Sequence, residues 1–383
     1  MSESSSKIIA FYLPQFHPIP ENDRWWGTGF TEWTNVTRAT PRFKDHYQPH
    51  LPADLGFYDL RLPEIRDAQA ALASEYRIDG FCYYHYWFGG KRLLERPFNE
   101  VLNTGRPRLP FCLCWANEQW TRGWDGREGH VLMPQAYSPE DDLAHIRWLV
   151  NAFRDERYIR VDGKPLFLVY RSAQLPDALR TTTIWRDEAR KLGIDELYLC
   201  NVQSFQPDTQ IVPEDLGFDA AVEFMPRWDD MGQRLHFHGR KWKGLRALGL
   251  ADAPAFSRDR LYSYAQIAQL AMQRELPPYK YFRCVTPSWD NSARREQDAT
   301  ILDGSTPELF GRWLRFALKQ SQKHPEKERL IFINAWNEWA EGNHLEPCLR
   351  WGRAYLESTR EAVELIDSAV DENLDNPKPK SIT

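Results

Sequence analysis

Two carboxylates three residues apart, Glu338 and Glu341, stand among tryptophans in Trp336-Asn337-Glu338-Trp339-Ala340-Glu341-Gly342. Paired carboxylates are the usual tools for making or breaking glycosidic bonds, since one can give a proton while the other takes one or attacks. Flat indole faces suit the C–H face of a sugar ring, so the segment points to glycan chemistry. It follows the apolar run Leu330-Ile331-Phe332-Ile333, which reads as a buried strand. Side chains three apart on a strand face opposite ways. The two glutamates therefore serve one cleft only if the strand ends between them, and Gly342-Asn343 suits such a turn. Otherwise one lies in the cleft and the other is salt-bridged at the surface.

The elements that must position this pair recur along the chain. Apolar runs rich in aromatic and β-branched residues predict eight strands: Lys7–Gln15, Ile78–Trp87, Pro110–Ala116, Pro165–Arg171, Leu197–Val202, Ala220–Phe224, Tyr281–Thr286 and Leu330–Ala335. Helical spacing appears between them at Leu62–Tyr76, Asp141–Phe153, Thr181–Lys191, Tyr262–Arg274, Pro307–Gln322 and Ala354–Val370, with weaker signals at Leu93–Leu102 and Pro213–Leu216. Ser138 before Pro139 is a good N-cap for the second of these. Eight strand–helix units predict an α/β fold, a (β/α)8 TIM barrel of parallel strands with long strand-to-helix loops. The alternative, an open doubly wound sheet, would carry a Gly-rich turn after its first strand, where Tyr12-Leu13-Pro14-Gln15-Phe16-His17 stands instead. The expected organisation is one catalytic barrel over 7–370, with disordered tails at 1–6 and 371–383.

A barrel places its active site at the C-terminal ends of its strands. Polar and aromatic residues collect there: Tyr12 and His17; Tyr84, His85, Tyr86 and Trp87; Trp115, Asn117, Glu118 and Trp120; Tyr170 and Arg171; Asn201 and Gln203; Glu223; Trp289 and Asp290; Trp336, Asn337, Glu338 and Glu341. Strand starts such as Lys7-Ile8-Ile9 lack this enrichment. His17 and His85 suit contacts to sugar hydroxyls, or are satisfied core histidines.

Bulk composition excludes other classes. A formal net charge of -5 excludes a wholly basic nucleic-acid binder. No apolar run spans a membrane and no secretory signal is legible, so the expected location is the cytoplasm. The six cysteines fit free thiols in a core better than a disulfide framework. No cofactor motif and no metal site is expected; His236-Phe237-His238 lacks neighbouring carboxylates and reads as a surface feature. Two loops are long. Pro18–Arg61 holds Trp25-Trp26-Gly27-Thr28-Gly29-Phe30-Thr31-Glu32-Trp33. Arg227–Arg260 holds Arg227, Arg234, Arg240, Lys241, Lys243, Arg246, Arg258 and Arg260, and faces a phosphate, an anionic glycan or a membrane surface, or is merely solvated.

Phe30-Thr31-Glu32-Trp33, Phe81-Cys82-Tyr83-Tyr84-His85-Tyr86-Trp87, Trp115-Ala116-Asn117-Glu118 and the Trp336–Gly342 motif resemble the WbsX-type family, over roughly residues 8 to 360. That family is associated with bacterial surface polysaccharides, often labelled glycosyltransferase, and related to glycoside hydrolase family 99, the endo-α-mannosidases and endo-α-mannanases. Asn337-Glu338-Trp339-Ala340-Glu341-Gly342-Asn343-His344-Leu345-Glu346-Pro347 is similar to the family-99 signature, with Ala340 where a histidine is usual. The resemblance implies a (β/α)8 barrel and retention without a covalent enzyme intermediate. Glu338 would take the sugar 2-hydroxyl proton so that the oxygen attacks C1, giving a 1,2-anhydro sugar; Glu341 would protonate the leaving oxygen. It also implies Glu32, Trp33, His344 and Glu346 as site residues. Three activities stay open: a retaining hydrolase of α-linked, manno-configured or related oligo- or polysaccharide, a transferase or transglycosylase of surface-polysaccharide synthesis, and a non-catalytic glycan-binding barrel.

Overall fold

The computed structural model describes residues 6–123, 127–235, 248 and 258–375. Its main sheet is a barrel of parallel strands: β1 Lys7–Tyr12, β2 Gly80–Phe88, β3 Phe111–Trp115, β4 Lys164–Val169, β5 Tyr198–Gln203, β6 Ala220–Glu223, β7 in two pieces, Tyr281–Phe282 and Cys284–Val285, and β8 Leu330–Ile333. The pieces of β7 close the ring. Ala221 of β6 pairs with Tyr281, Cys284 pairs with Phe332 of β8, and Lys7 of β1 pairs with Leu330. All eight expected strands are present, each ending at or before its expected terminus except β2 and β5, which run one residue further.

Helices cover the outside. Pro63–Glu75, Arg96–Thr104, Pro139–Phe153, Ala178–Lys191, Tyr264–Gln273, Pro307–Ser321 and Ala354–Asp375 are α-helical, and Pro213–Leu216 is a 3₁₀ turn. Ser138 caps as expected, its hydroxyl accepting from the Asp141 N–H at 3.1 Å. The last helix continues past Val370, so the residues expected as a tail begin as helix; residues 376–383 and 1–5 lie outside the described residues. All six cysteines are buried and unpaired.

The long loops are structured where described. The segment after β1 folds into helices Pro20–Trp26 and Glu32–Arg38, the latter with a capping box between Thr31 and Thr34. A hairpin of Trp120–Arg122 and Arg127–Met133 follows β3. Of the basic loop, Arg240, Lys241, Lys243 and Arg246 lie outside the described residues, as does His236-Phe237-His238. Among the described residues no helix is long and apolar enough to cross a membrane, and no group of three or more His, Cys, Asp or Glu side chains converges as metal ligands.

Candidate active site

At the C-terminal mouth of the barrel lies a cavity of about 590 Å³, lined by Glu338 and Glu341 together with residues from the seven other strand ends. The chain leaves β8 at Ile333, makes a two-residue ladder of Asn337–Glu338 with Asn343–His344, and turns between them through the 3₁₀ segment Trp339–Glu341. That turn brings both carboxylates to one wall. Asn337 pins its base: the side-chain oxygen accepts from the Leu13 N–H at 2.7 Å, and its amide donates to the Leu13 carbonyl at 3.0 Å. Gly342 completes the turn with φ of 56°, and a Cβ there would meet the Asp290 Cβ at 3.0 Å. We expect Gly342→Ala to lose about 1–3 kcal/mol of stability by urea unfolding, with a parallel fall in activity as the turn shifts.

A single guanidinium holds the acids. Arg294 donates to Glu338 at 2.9 Å, to Glu341 at 2.6 Å and to Glu32 at 3.1 Å. Glu32 is fully buried and also accepts from Gln15 at 2.8 Å, so it anchors Arg294 from behind rather than lining the cavity. Burial pushes Glu338 up to about 8; the Arg294 charge opposes this, and the neighbouring Glu341 and Glu32 charges reinforce it. Burial likewise raises Glu341, against Arg294. Crowding three carboxylates around one cation favours retaining a proton on the Glu338–Glu341 pair. Glu118 lines the same cavity and pairs with Arg171 at 2.5 Å, which Asp208 holds at 3.0 Å.

Strand alternation sorts the other candidates. Tyr84 lines the cavity, as do Glu118, Tyr170 and Trp289. Tyr12, His85, Trp87 and Trp115 do not. Tyr12 faces the helix layer and donates to Gln69 at 2.7 Å, while Leu13 and Gln15 face inward. His85 stacks on Trp148 and bonds His145 at 3.0 Å, and Trp87 donates to Asp141 at 2.9 Å. Tyr86, two residues from Tyr84, takes the inward position instead. Trp115 is fully buried and donates to the Trp87 carbonyl; Asn117 bonds the Arg171 backbone. Asn201 is buried beside Ser172. His17 is buried off the cavity, and that burial lowers its ring to about 4.

The motif tryptophans are core, not sugar platforms. Trp336 is fully buried against Phe81, and Trp33 packs on Phe16, Tyr58 and Trp339. Trp339 stacks on His344 at 3.7 Å and donates to Glu346 at 2.6 Å; Tyr58 and Gln69 also donate to that carboxylate. His344 and Glu346 thus support the turn from beneath. Asp290 accepts from His46 and Gln48, facing a separate small cavity.

Glu223 turns into the β6–β7 seam, where it pairs with Arg274 at 2.8 Å and accepts from the Cys284 N–H at 3.2 Å. Removing one partner from such a buried cluster leaves uncompensated charge. Glu223→Ala is expected to cost about 3–5 kcal/mol in chemical denaturation while kcat/KM of the folded fraction stays within about threefold.

Arg294 is not among the site residues expected from the sequence, although its place shortly after Trp289-Asp290 at the β7 exit is a signal. The indoles that do line the cavity are Trp26, Trp120, Trp228 and Trp289, all four from segments beyond the barrel strands.

The chain resembles solved barrels throughout its length. A GH99 endo-alpha-mannosidase from Bacteroides thetaiotaomicron superimposes with a TM-score of 0.56 at 14% identity, covering 96% of this chain and 98% of that one. A structure described as a glycoside hydrolase-like protein gives 0.56 at 15% identity, covering 95% of each chain. At these identities the likeness is one of fold. WxcX of Xanthomonas campestris pv. campestris (strain B100), described as an uncharacterized protein, is 47% identical over 358 residues, 93% of this chain and 49% of its own length. The chain thus spans about half the length of the curated relatives it matches. The sequence profile of the family described as Glycosyltransferase WbsX matches residues 8–359. The chain therefore belongs to the glycosyltransferase WbsX family.

Proposed function

We propose that this chain cleaves an α-linked, manno-configured or related glycan with retention, using Glu338 and Glu341 as a proton-sharing pair. The observation that carries this reading is their joint exposure to one cavity while a single arginine holds both. The pair keeps one proton at every stage. First, the Glu338 carboxylate takes the proton of the sugar 2-hydroxyl, O2 forms a bond to C1, and the bond from C1 to the leaving oxygen breaks. That oxygen receives its proton from Glu341. A 1,2-anhydro sugar and a free alcohol result. Second, the Glu341 carboxylate takes a proton from water, whose oxygen bonds to C1 as the C1–O2 bond breaks and O2 recovers the proton from Glu338. Two inversions at C1 give net retention.

A pair biased toward holding one proton suits this cycle, because neither step changes its proton count. Arg294 supplies a fixed positive charge that limits repulsion between the two acids as the proton changes sides. Trp26, Trp120, Trp228 and Trp289 offer ring faces for sugars along the cavity.

An alcohol in place of water at the second step gives transglycosylation, which fits the family's description as glycosyltransferases. Product analysis decides: α-mannosides and bacterial surface glycans are incubated with and without nucleotide sugars and followed by NMR. Turnover without a nucleotide sugar, with the α-anomer formed first, is expected. Turnover that requires a nucleotide sugar would overturn the reading.

A further inference from the structure

The cavity has two unlike walls. On one side Asn22, fully buried, presents an amide whose oxygen and nitrogen both lack partners, next to Trp26 and Trp120. An amide donor and acceptor beside ring faces match neutral sugar hydroxyls. On the other side, around the β6 and β7 exits, the cavity-lining residues with unsatisfied buried groups present donors. The indole N–H groups of Trp228 and Trp289, whose rings meet edge-to-face at 5.1 Å, have no acceptor. The Arg260 Nε–H has none either, and the guanidinium's one bond is to the Asp298 carbonyl at 3.1 Å.

The nearby acids are committed elsewhere. Asp259 pairs with Arg42 at 2.9 Å and Asp298 with Arg258 at 2.7 Å, which leaves no carboxylate at ion-pair distance from Arg260 among the described residues. A part-buried guanidinium without a counter-charge is unfavourable, and so is a row of buried donors without acceptors. A ligand oxyanion would relieve both. The ladder fixes the place: Arg260 pairs with Thr300, whose N–H donates to the Asn291 side chain, and the turn beginning at Asn291 leads directly to Arg294.

Resting on the glycan-cleaving reading above, we infer that Arg260, Trp228 and Trp289 form an oxyanion subsite beside the Glu338–Glu341 pair, and that the glycan carries an acidic group there: a sugar carboxylate or a phosphate ester. Arg260, which among the described arginines of the basic loop reaches the cavity, thus selects substrate. The bidentate donor geometry of arginine and the two indole donors surround oxygens of either group.

Calorimetric titration with D-glucuronate, glucose 6-phosphate and D-glucose tests this on the full chain. At least one anionic sugar is expected to bind about tenfold tighter than glucose. Preference for glucuronate identifies a carboxylate, and preference for glucose 6-phosphate a phosphate; both support the subsite. Arg260→Gln should abolish the preference without weakening glucose, and Arg260→Lys should restore part of it. Equal binding of all three sugars, no anionic binding to the wild type at about 20 mM, or an undiminished preference in folded Arg260→Gln would overturn the subsite. Binding needs no turnover, so such a failure leaves the roles of Glu338 and Glu341 untouched. Conversely, an anion-selective chain that cleaves nothing would overturn those roles alone.

Discussion

Glu338→Gln and Glu341→Gln each lower kcat by about a thousandfold or more while leaving glycan affinity within a few-fold of wild type. Each carboxylate has a different task in each half of the cycle, and an amide can neither take nor give the proton. Glutamine keeps the shape and still offers an oxygen to Arg294 at the positions now 2.9 and 2.6 Å away. Loss of the transition-state contribution should therefore appear in kcat and kcat/KM together. Variants that bind glycan as wild type does, alongside a wild type that shows no turnover, would instead indicate a glycan-binding barrel.

The wild-type pH profile follows from the same pair. Activity needs one proton on it. Burial raises both acids, so kcat/KM is expected to fall at alkaline pH as the pair loses its one proton. It should fall again at low pH, where the second carboxylate is also protonated. The two limbs belong to the pair rather than to either residue.

Arg294→Met is the second large effect. It leaves Glu32, Glu338 and Glu341 buried without their common cation, and about 3–5 kcal/mol of stability should be lost at pH 8. At pH 5 the loss should be much smaller. The sign follows from linkage: a carboxylate whose folded pKa lies above its unfolded value binds more protons in the native state. Stability then falls as pH rises from the ordinary carboxylate value near 4.5 through the folded value. Removing Arg294 raises the folded values further and steepens that fall. Urea midpoints of wild type and variant at the two pH values measure it; equal losses at both would show that Arg294 acts by packing. Arg294→Lys should recover only part, since an ammonium lacks the guanidinium's spread of donors to three separate carboxylates.

The amino-acid sequence by itself determined the barrel, because eight buried runs separated by helical periodicity leave few topologies, and parallel crossovers select a closed ring. It also determined which pair of acids stands at the last strand exit. Side-chain direction was partly legible: period-two alternation selects Tyr84 and Tyr86 over His85 and Trp87, and Leu13 over Tyr12. Aromatic enrichment drew attention to both faces alike, because the helix layer needs rings as much as the cavity does.

Only the tertiary structure decided the rest. Trp336, Trp339 and Glu346 became the support of the turn once β8 ended and alternation no longer governed direction. Arg294 meets Glu32 across 262 residues and Glu338 across 44, contacts that no local pattern encodes. Long-range ion pairs depend on which loops the closed ring brings over its mouth. Periodicity reports how buried a residue is, whereas the charge that faces it is set by the fold as a whole.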